Sequence, residues 1–163
     1  MAVAPLAFIT GASSGIGQAL ALRYVAAGWR VALVARRQAE LTAWAAAQGW
    51  PAGRWQVYGA DVAVIDAIVA AGQACIAAQG VPDVVIANAG ISVGMDTAER
   101  DDIDVMARTF AVNNTGMAAT FHPFVEPMRQ RGSGTLVGIA SVAAIRGLPG
   151  HGAYCASKAG VVS

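Results

Sequence analysis

Short apolar runs alternate with longer Ala-rich stretches along the whole chain. The runs LAFIT (6–10), VALVA (31–35), WQVYGA (55–60), DVVIANA (83–89) and TLVGIAS (135–141) are largely apolar at successive rather than alternate positions. That pattern predicts strands covered on both faces. Between them, residues 18–27, 39–48, 65–79 and 101–131 read as helices, and a further helix opens near Gly152. Strand, helix, strand at this spacing implies right-handed crossovers in a parallel sheet. The expected fold is α/β, a doubly wound, Rossmann-like parallel sheet forming a single domain over residues 1–163. Gly28 and Gly49 fall where helices should stop. Pro123 and Pro127 lie inside the long helix and each removes a backbone donor, so the helix is expected to bend or end there with an irregular last turn.

Composition narrows the function classes. The 163 residues are 56% hydrophobic and 13% charged, against about 25% charged in an average domain, which predicts a well-cored chain. Eleven basic and ten acidic residues give a net charge of +1, so no basic surface for nucleic acid is expected. Mean hydropathy is high, at +0.51. Even so, Gly, Arg, Asp and Gln break the apolar runs, and a membrane span is not expected. No basic residue precedes the first apolar segment, which leads straight into a glycine-rich loop, unlike a signal peptide. Cys75 and Cys155 stand far apart without metal-ligand spacing, which suits the cytoplasm and no structural metal. Of the eleven basic residues ten are arginine, and the single lysine is Lys158.

The first strand runs into Thr10-Gly11-Ala12-Ser13-Ser14-Gly15-Ile16-Gly17 and then into a helix. Glycines there permit a tight turn and close approach of backbone to a pyrophosphate, and the helix N-terminus offers unpaired N–H groups. The spacing is Gly-x-x-x-Gly-x-Gly rather than Gly-x-Gly-x-x-Gly. At the end of the second strand, where an acid would select the ribose 2′-hydroxyl of NAD, the chain reads Val34-Ala35-Arg36-Arg37. A guanidinium pairs bidentately with a 2′-phosphate, so NADP is expected, with Arg36 ahead of Arg37; ordinary solvated loop charges are the other reading. Asp61-Val62 and Asn88-Ala89-Gly90 follow the third and fourth strands, at the carboxyl edge where open α/β sheets bind ligands. Asp61 either accepts from an adenine amino group or caps the next helix.

Tyr154 and Lys158 are four apart on a predicted helix and share a face. A neighbouring ammonium favours phenolate, which makes the pair a candidate acid/base. Ser141, ending the fifth strand, can donate a hydrogen bond to a reacting oxygen. Asn113, mid-helix, needs a partner.

Taken together, TGASSGIG (10–17), DV (61–62), NAG (88–90), VNNTG (112–116), IAS (139–141) and YCASK (154–158) resemble the short-chain dehydrogenase/reductase family in order and spacing. The resemblance implies a tetrad. Tyr154 transfers the proton, Lys158 assists it and holds the nicotinamide ribose, Ser141 positions the substrate oxygen, and Asn113 supports a proton relay through water. Asn113 is carried over rather than Asn114 because the family's asparagine stands three before the glycine, here Gly116. The implied function is hydride transfer between NADP and a small carbonyl or alcohol. A homo-oligomer, dimer or tetramer, is implied as well.

Members of that family are usually longer than this chain, which stops soon after Lys158 inside a helical pattern. The sheet is therefore expected to lack its last strands and substrate loop, with exposed apolar faces that would destabilise or aggregate the chain. The alternative is a non-catalytic nucleotide-binding or interaction module of the same fold. Methyltransferases need no Tyr/Lys pair, and nucleotide-sugar epimerases carry a different glycine spacing. His151 is expected to serve a loop or cap, or else to touch substrate.

Overall fold

Five parallel strands, β1 (Leu6–Thr10), β2 (Arg30–Ala35), β3 (Trp55–Gly59), β4 (Val84–Ala87) and β5 (Thr135–Gly138), lie in the order β3-β2-β1-β4-β5. They come from a computed structural model that describes residues 3–163. The helices are α1 (Gly15–Ala26), α2 (Gln38–Ala47), α3 (Ile65–Gln79), α4 (Asp102–Phe110), α5 (Gly116–Arg131) and α6 (Gly152–Val162).

Strand alternation divides the core into two layers. Leu6 and Phe8 of β1 point to one face, with Val34, Val85, Ile68, Cys75 and Phe124. Ala7 and Ile9 point to the other, with Leu33, Ile86, Ala21, Leu41 and Ala45. All five residues of β1 are buried, as a central strand covered on both faces requires. The Phe8 and Phe124 rings meet at 4.8 Å, and burying each stabilises by about 1.5–3 kcal/mol. Full burial does not extend to the outer strands: β5 is largely exposed and β3 partly so, because each stands at an edge of the sheet.

The long helix expected over 101–131 is two helices joined by a π-helical turn at Ala111–Thr115. The prolines do not break it. Helix α5 continues past Pro123 and Pro127 to Arg131 and closes on Gly132 in the left-handed region. Its irregularity lies before the prolines rather than after them. Pro123 is held against α3, where a Cβ on Gly72 would lie 2.4 Å from the proline ring. Packing of α3 on α5 thus outweighs the lost backbone donors.

Gly28 and Gly49 terminate α1 and α2 with positive φ, as expected. Asp61 does not cap α3, whose first residue is Ile65. Its carboxylate accepts from the Ala63 N–H instead, closing a turn ahead of the helix.

Candidate functional site

The strand order reverses between β1 and β4, which opens a crevice at their carboxyl ends. Gly11 turns the chain there with φ +65°, and a Cβ on it would lie 2.8 Å from Ala89 Cα, so only glycine lets the two loops approach. The Ala12 N–H donates to the Val34 carbonyl and ties the turn to β2. Helix α1 begins at Gly15, three residues earlier than the sequence pattern suggests. Its N-cap Ser14 makes no side-chain bond to the first turn, which leaves N–H groups available at the crevice. Gly17 packs inward, since a Cβ there would fall 2.2 Å from the Gly11 carbonyl oxygen.

Behind the turn, Thr10 and Asn88 lock the two loops together. Thr10 Oγ1 accepts from the Asn88 and Ala89 N–H groups at 3.1 Å each. Asn88 Nδ2 donates to the Thr10 carbonyl at 3.0 Å and to that of Gly11 at 3.3 Å. The crevice is a cavity of about 360 Å³ whose walls include Gly11, Ser13, Ser14, Gly15, Ile16, Arg36, Arg37, Asp61, Val62, Asn88, Ala89 and Gly90. Val34, Ala35, Ala60, Ile91 and Val112 complete it, five residues to which the sequence assigned no binding role. Gly17, Tyr154 and Lys158 are not in its walls. The Arg36 guanidinium is 3.8 Å from the Asp61 carboxylate with 73% of its side chain exposed, while Arg37 pairs with Glu40 at 3.2 Å.

A second cluster adjoins the first at Gly90. A Cβ on Gly90 would lie 3.3 Å from Asn113 Oδ1 and 3.5 Å from Lys158 Nζ, which places the crevice loop beside both. Lys158 is buried and donates to the Ile139 carbonyl at 2.6 Å, and its Nζ stands 5.8 Å from the centre of the Tyr154 ring. Desolvation holds the Lys158 ammonium below the usual lysine range.

Asn113 sits in the π-helical turn rather than in a regular helix. Its Oδ1 accepts from the Ile91 N–H at 2.9 Å, and its Nδ2 donates to the Ile91 carbonyl and to Ser157 Oγ, both at 2.9 Å. Ser157 Oγ donates in turn to the Tyr154 carbonyl at 2.8 Å. Strand β5 ends at Gly138, so Ser141 lies beyond it, starting a 3-10 turn over Val142–Ala144. There its Oγ accepts from the Ala143 N–H at 3.1 Å.

The loops around this cluster are fastened to each other. The Met95 N–H donates to the Gly150 carbonyl, and the Leu148 N–H donates to Cys155 Sγ. His151 precedes α6, and its ring lies 3.1 Å from the Pro149 carbonyl, a loop role.

Thr10 and Ser157 stand inside the motifs without an assigned role, and Asn114 was passed over in favour of Asn113. Thr10 carried a signal, a hydroxyl at the last position of the central strand before a glycine turn. Ser157 and Asn114 carried only adjacency to Lys158 and Asn113. Among the described residues no three His, Cys, Asp or Glu gather to hold a metal, and no helix is long and apolar enough to cross a membrane.

A parallel α/β sheet with a glycine turn at its switch point and a Tyr/Lys pair beside it defines the class: a Rossmann-like domain. The short chain dehydrogenase family model matches residues 5–163, and the chain belongs to that family, one of oxidoreductases.

An uncharacterized oxidoreductase of Myxococcus xanthus is 40% identical over 156 residues, covering 94% of this chain and 60% of the relative. The D-threitol dehydrogenase of Mycolicibacterium smegmatis is 36% identical, covering 96% of this chain and 60% of that protein. A 2-dehydro-3-deoxy-L-rhamnonate dehydrogenase (NAD(+)) of Sphingomonas is 34% identical, with 96% and 61% covered. A short-chain dehydrogenase structure from Streptomyces avermitilis superposes with TM-score 0.90 at 32% identity, over 99% of this chain and 58% of that one. Levodione reductase gives TM-score 0.89 at 31% identity, over 97% and 62%. The chain thus spans about 60% of the length of these curated relatives.

Proposed function

We propose that this chain is the nucleotide-binding and catalytic part of an NADP-dependent oxidoreductase that interconverts a small carbonyl compound and its alcohol. The observation that carries the reading is the buried Lys158 beside Tyr154, at the carboxyl end of the sheet and one glycine away from the crevice.

The residues present fit a dinucleotide. Gly11 and Gly15 take positive φ, the first turn of α1 has free N–H groups and no acidic side chain, and the turn offers only Gly11, Ser13, Ser14, Gly15 and Ile16 to the crevice. The diphosphate would lie on Gly11, Ser13, Ser14, Gly15 and Ile16, with Asp61 and Val62 toward the base and Asn88, Ala89 and Gly90 toward the ribose. Gly17 serves by seating α1 against the turn. Arg36 and Arg37 follow β2 without an acid of the NAD type. Arg36 is the exposed cation free to turn from Asp61 to a 2′-phosphate, which supports NADP over NAD. When bound, the nicotinamide supplies or accepts the hydride.

The chain's own residues handle the proton. The Tyr154 phenol gives its proton to the developing alkoxide, or takes it from the alcohol, at its Oη. The Lys158 cation favours the anionic form of the phenol and holds the nicotinamide ribose. Ser141 has a hydroxyl proton directed at no acceptor among the described residues and can donate it to the substrate oxygen. Asn113 holds the Ile91 backbone on both its N–H and C=O and supports the relay of the proton to solvent.

The substrate is a small molecule, and neither nucleic acid nor membrane is a partner in this reading. Residues 1–163 form part of one domain; Met1 and Ala2 lie outside the described residues. The unpaired thiols Cys75 and Cys155 support a cytoplasmic setting, and a homo-oligomer, dimer or tetramer, follows from the family resemblance. The test is a fluorescence titration of the complete protein with NADPH and NADH. Tighter binding of NADPH supports the reading, and no binding of either removes it.

A further inference from the structure

Asn113 and Asn114 are adjacent, yet both reach Ser157 of α6. Asn113 Nδ2 donates to Ser157 Oγ at 2.9 Å, and Asn114 Nδ2 donates to the Ser157 carbonyl at 2.8 Å. The π-helical turn at Ala111–Thr115 carries both residues, and such turns interrupt regular helices where a site needs it.

The Ser157 carbonyl already lies within α6, where it faces the N–H four residues on, so the Asn114 amide is a second donor to the same oxygen. That oxygen belongs to the Ser157–Lys158 peptide, the unit from which the Lys158 side chain springs. The approach depends on a missing side chain: a Cβ on Gly160 would lie 2.8 Å from Asn114 Nδ2. Asn114 Oδ1 is buried and finds no donor among the described residues, so the amide is retained for its N–H rather than for a pair of bonds.

We infer that Asn114, seated against Gly160, is a positioning residue that fixes the turn of α6 carrying Lys158 and, through it, the distance from Lys158 to Tyr154. The inference rests on the Tyr154/Lys158 reading above. It predicts that loosening the Asn114 contact lowers kcat while nucleotide binding holds.

Gly160→Ala is the decisive variant: its Cβ would displace Asn114, so a purely structural role predicts at most a change in stability, with turnover per folded molecule and the kcat–pH profile unchanged. Positioning predicts instead that Gly160→Ala, in the complete protein, lowers kcat about tenfold, as misplaced groups do, with KM for NADPH nearly constant and the kcat–pH profile moved to higher pH. Asn114→Asp, which keeps the shape and removes the donor, shows the same pattern. Unchanged kcat and pH profile in Gly160→Ala, while Tyr154→Phe is inactive, overturns the positioning role alone. Retained turnover in Tyr154→Phe overturns the parent reading and this inference with it.

Discussion

Lys158 Nζ lies 5.8 Å from the centre of the Tyr154 ring and within 2.6 Å of the Ile139 carbonyl, so one buried cation joins α6 to the segment following β5. Burial disfavours that charge, and the fold retains it beside the phenol. Lys158→Met therefore removes the group that favours the phenolate. Turnover of the complete protein should fall, and its remaining pH profile should move toward higher pH. An unchanged profile would show that the ammonium has no part in the proton transfer.

Arg36 is exposed and its nearest anion is Asp61 at 3.8 Å, a pairing weak enough to exchange for a phosphate. Binding of NADPH should exceed that of NADH by about tenfold or more, and Arg36→Ala should erase most of the difference, which isothermal titration measures directly. Equal affinities in the unaltered protein would remove the role assigned to Arg36.

Gly17 is a packing position. A Cβ there would fall 2.2 Å from the backbone oxygen of Gly11, and neither side of that contact is a flexible side chain. Gly17→Ala should cost about 1–3 kcal/mol in urea unfolding and weaken nucleotide binding as the turn shifts. Unaltered stability and binding would mean that α1 can slide without consequence.

Alkaline pH should destabilise the chain through Cys75. Burial pushes this thiol up to about 12 from 9.0, so the folded state keeps the proton after the unfolded state has lost it. The contribution is complete below the unfolded value and is lost as pH rises through the window from 9.0 to about 12. Tyr58 is raised in the same direction, chiefly by its burial, and Lys158 is shifted in the opposite sense. Cys75→Ala should flatten the fall in unfolding free energy over that window by about 1.4 kcal/mol per pH unit at most, read from denaturant titrations at each pH. A parallel fall in both proteins would assign the alkaline loss to other groups.

The strands were legible because β1 and β2 are buried on both faces, so that burial leaves an unbroken apolar run in the chain itself. Strand order was not legible, since it is set by long-range pairing: β3 reads as apolar yet stands at an edge and is only partly buried. The break in the 101–131 helix was hidden for a similar reason. It coincides with bonds from Asn113 to Ile91 and from Asn113 and Asn114 to Ser157, partners distant in sequence. The prolines misled, because their local penalty is visible while the Gly72 notch that accommodates Pro123 is not. At the site, the glycine turn and the spacing of Tyr154 and Lys158 are local features and were readable. The brace of Thr10 and Asn88 joins residues 78 apart and was not.

The central claim, that Tyr154 carries the proton, is tested most directly by steady-state turnover of the complete protein and its Tyr154→Phe variant with NADPH and a panel of small ketones and aldehydes. The unaltered protein should turn over at least one of them. The variant should lose on the order of 10²–10⁴-fold in kcat while binding NADPH with nearly the same affinity. Turnover by Tyr154→Phe at the rate of the unaltered protein would contradict the account.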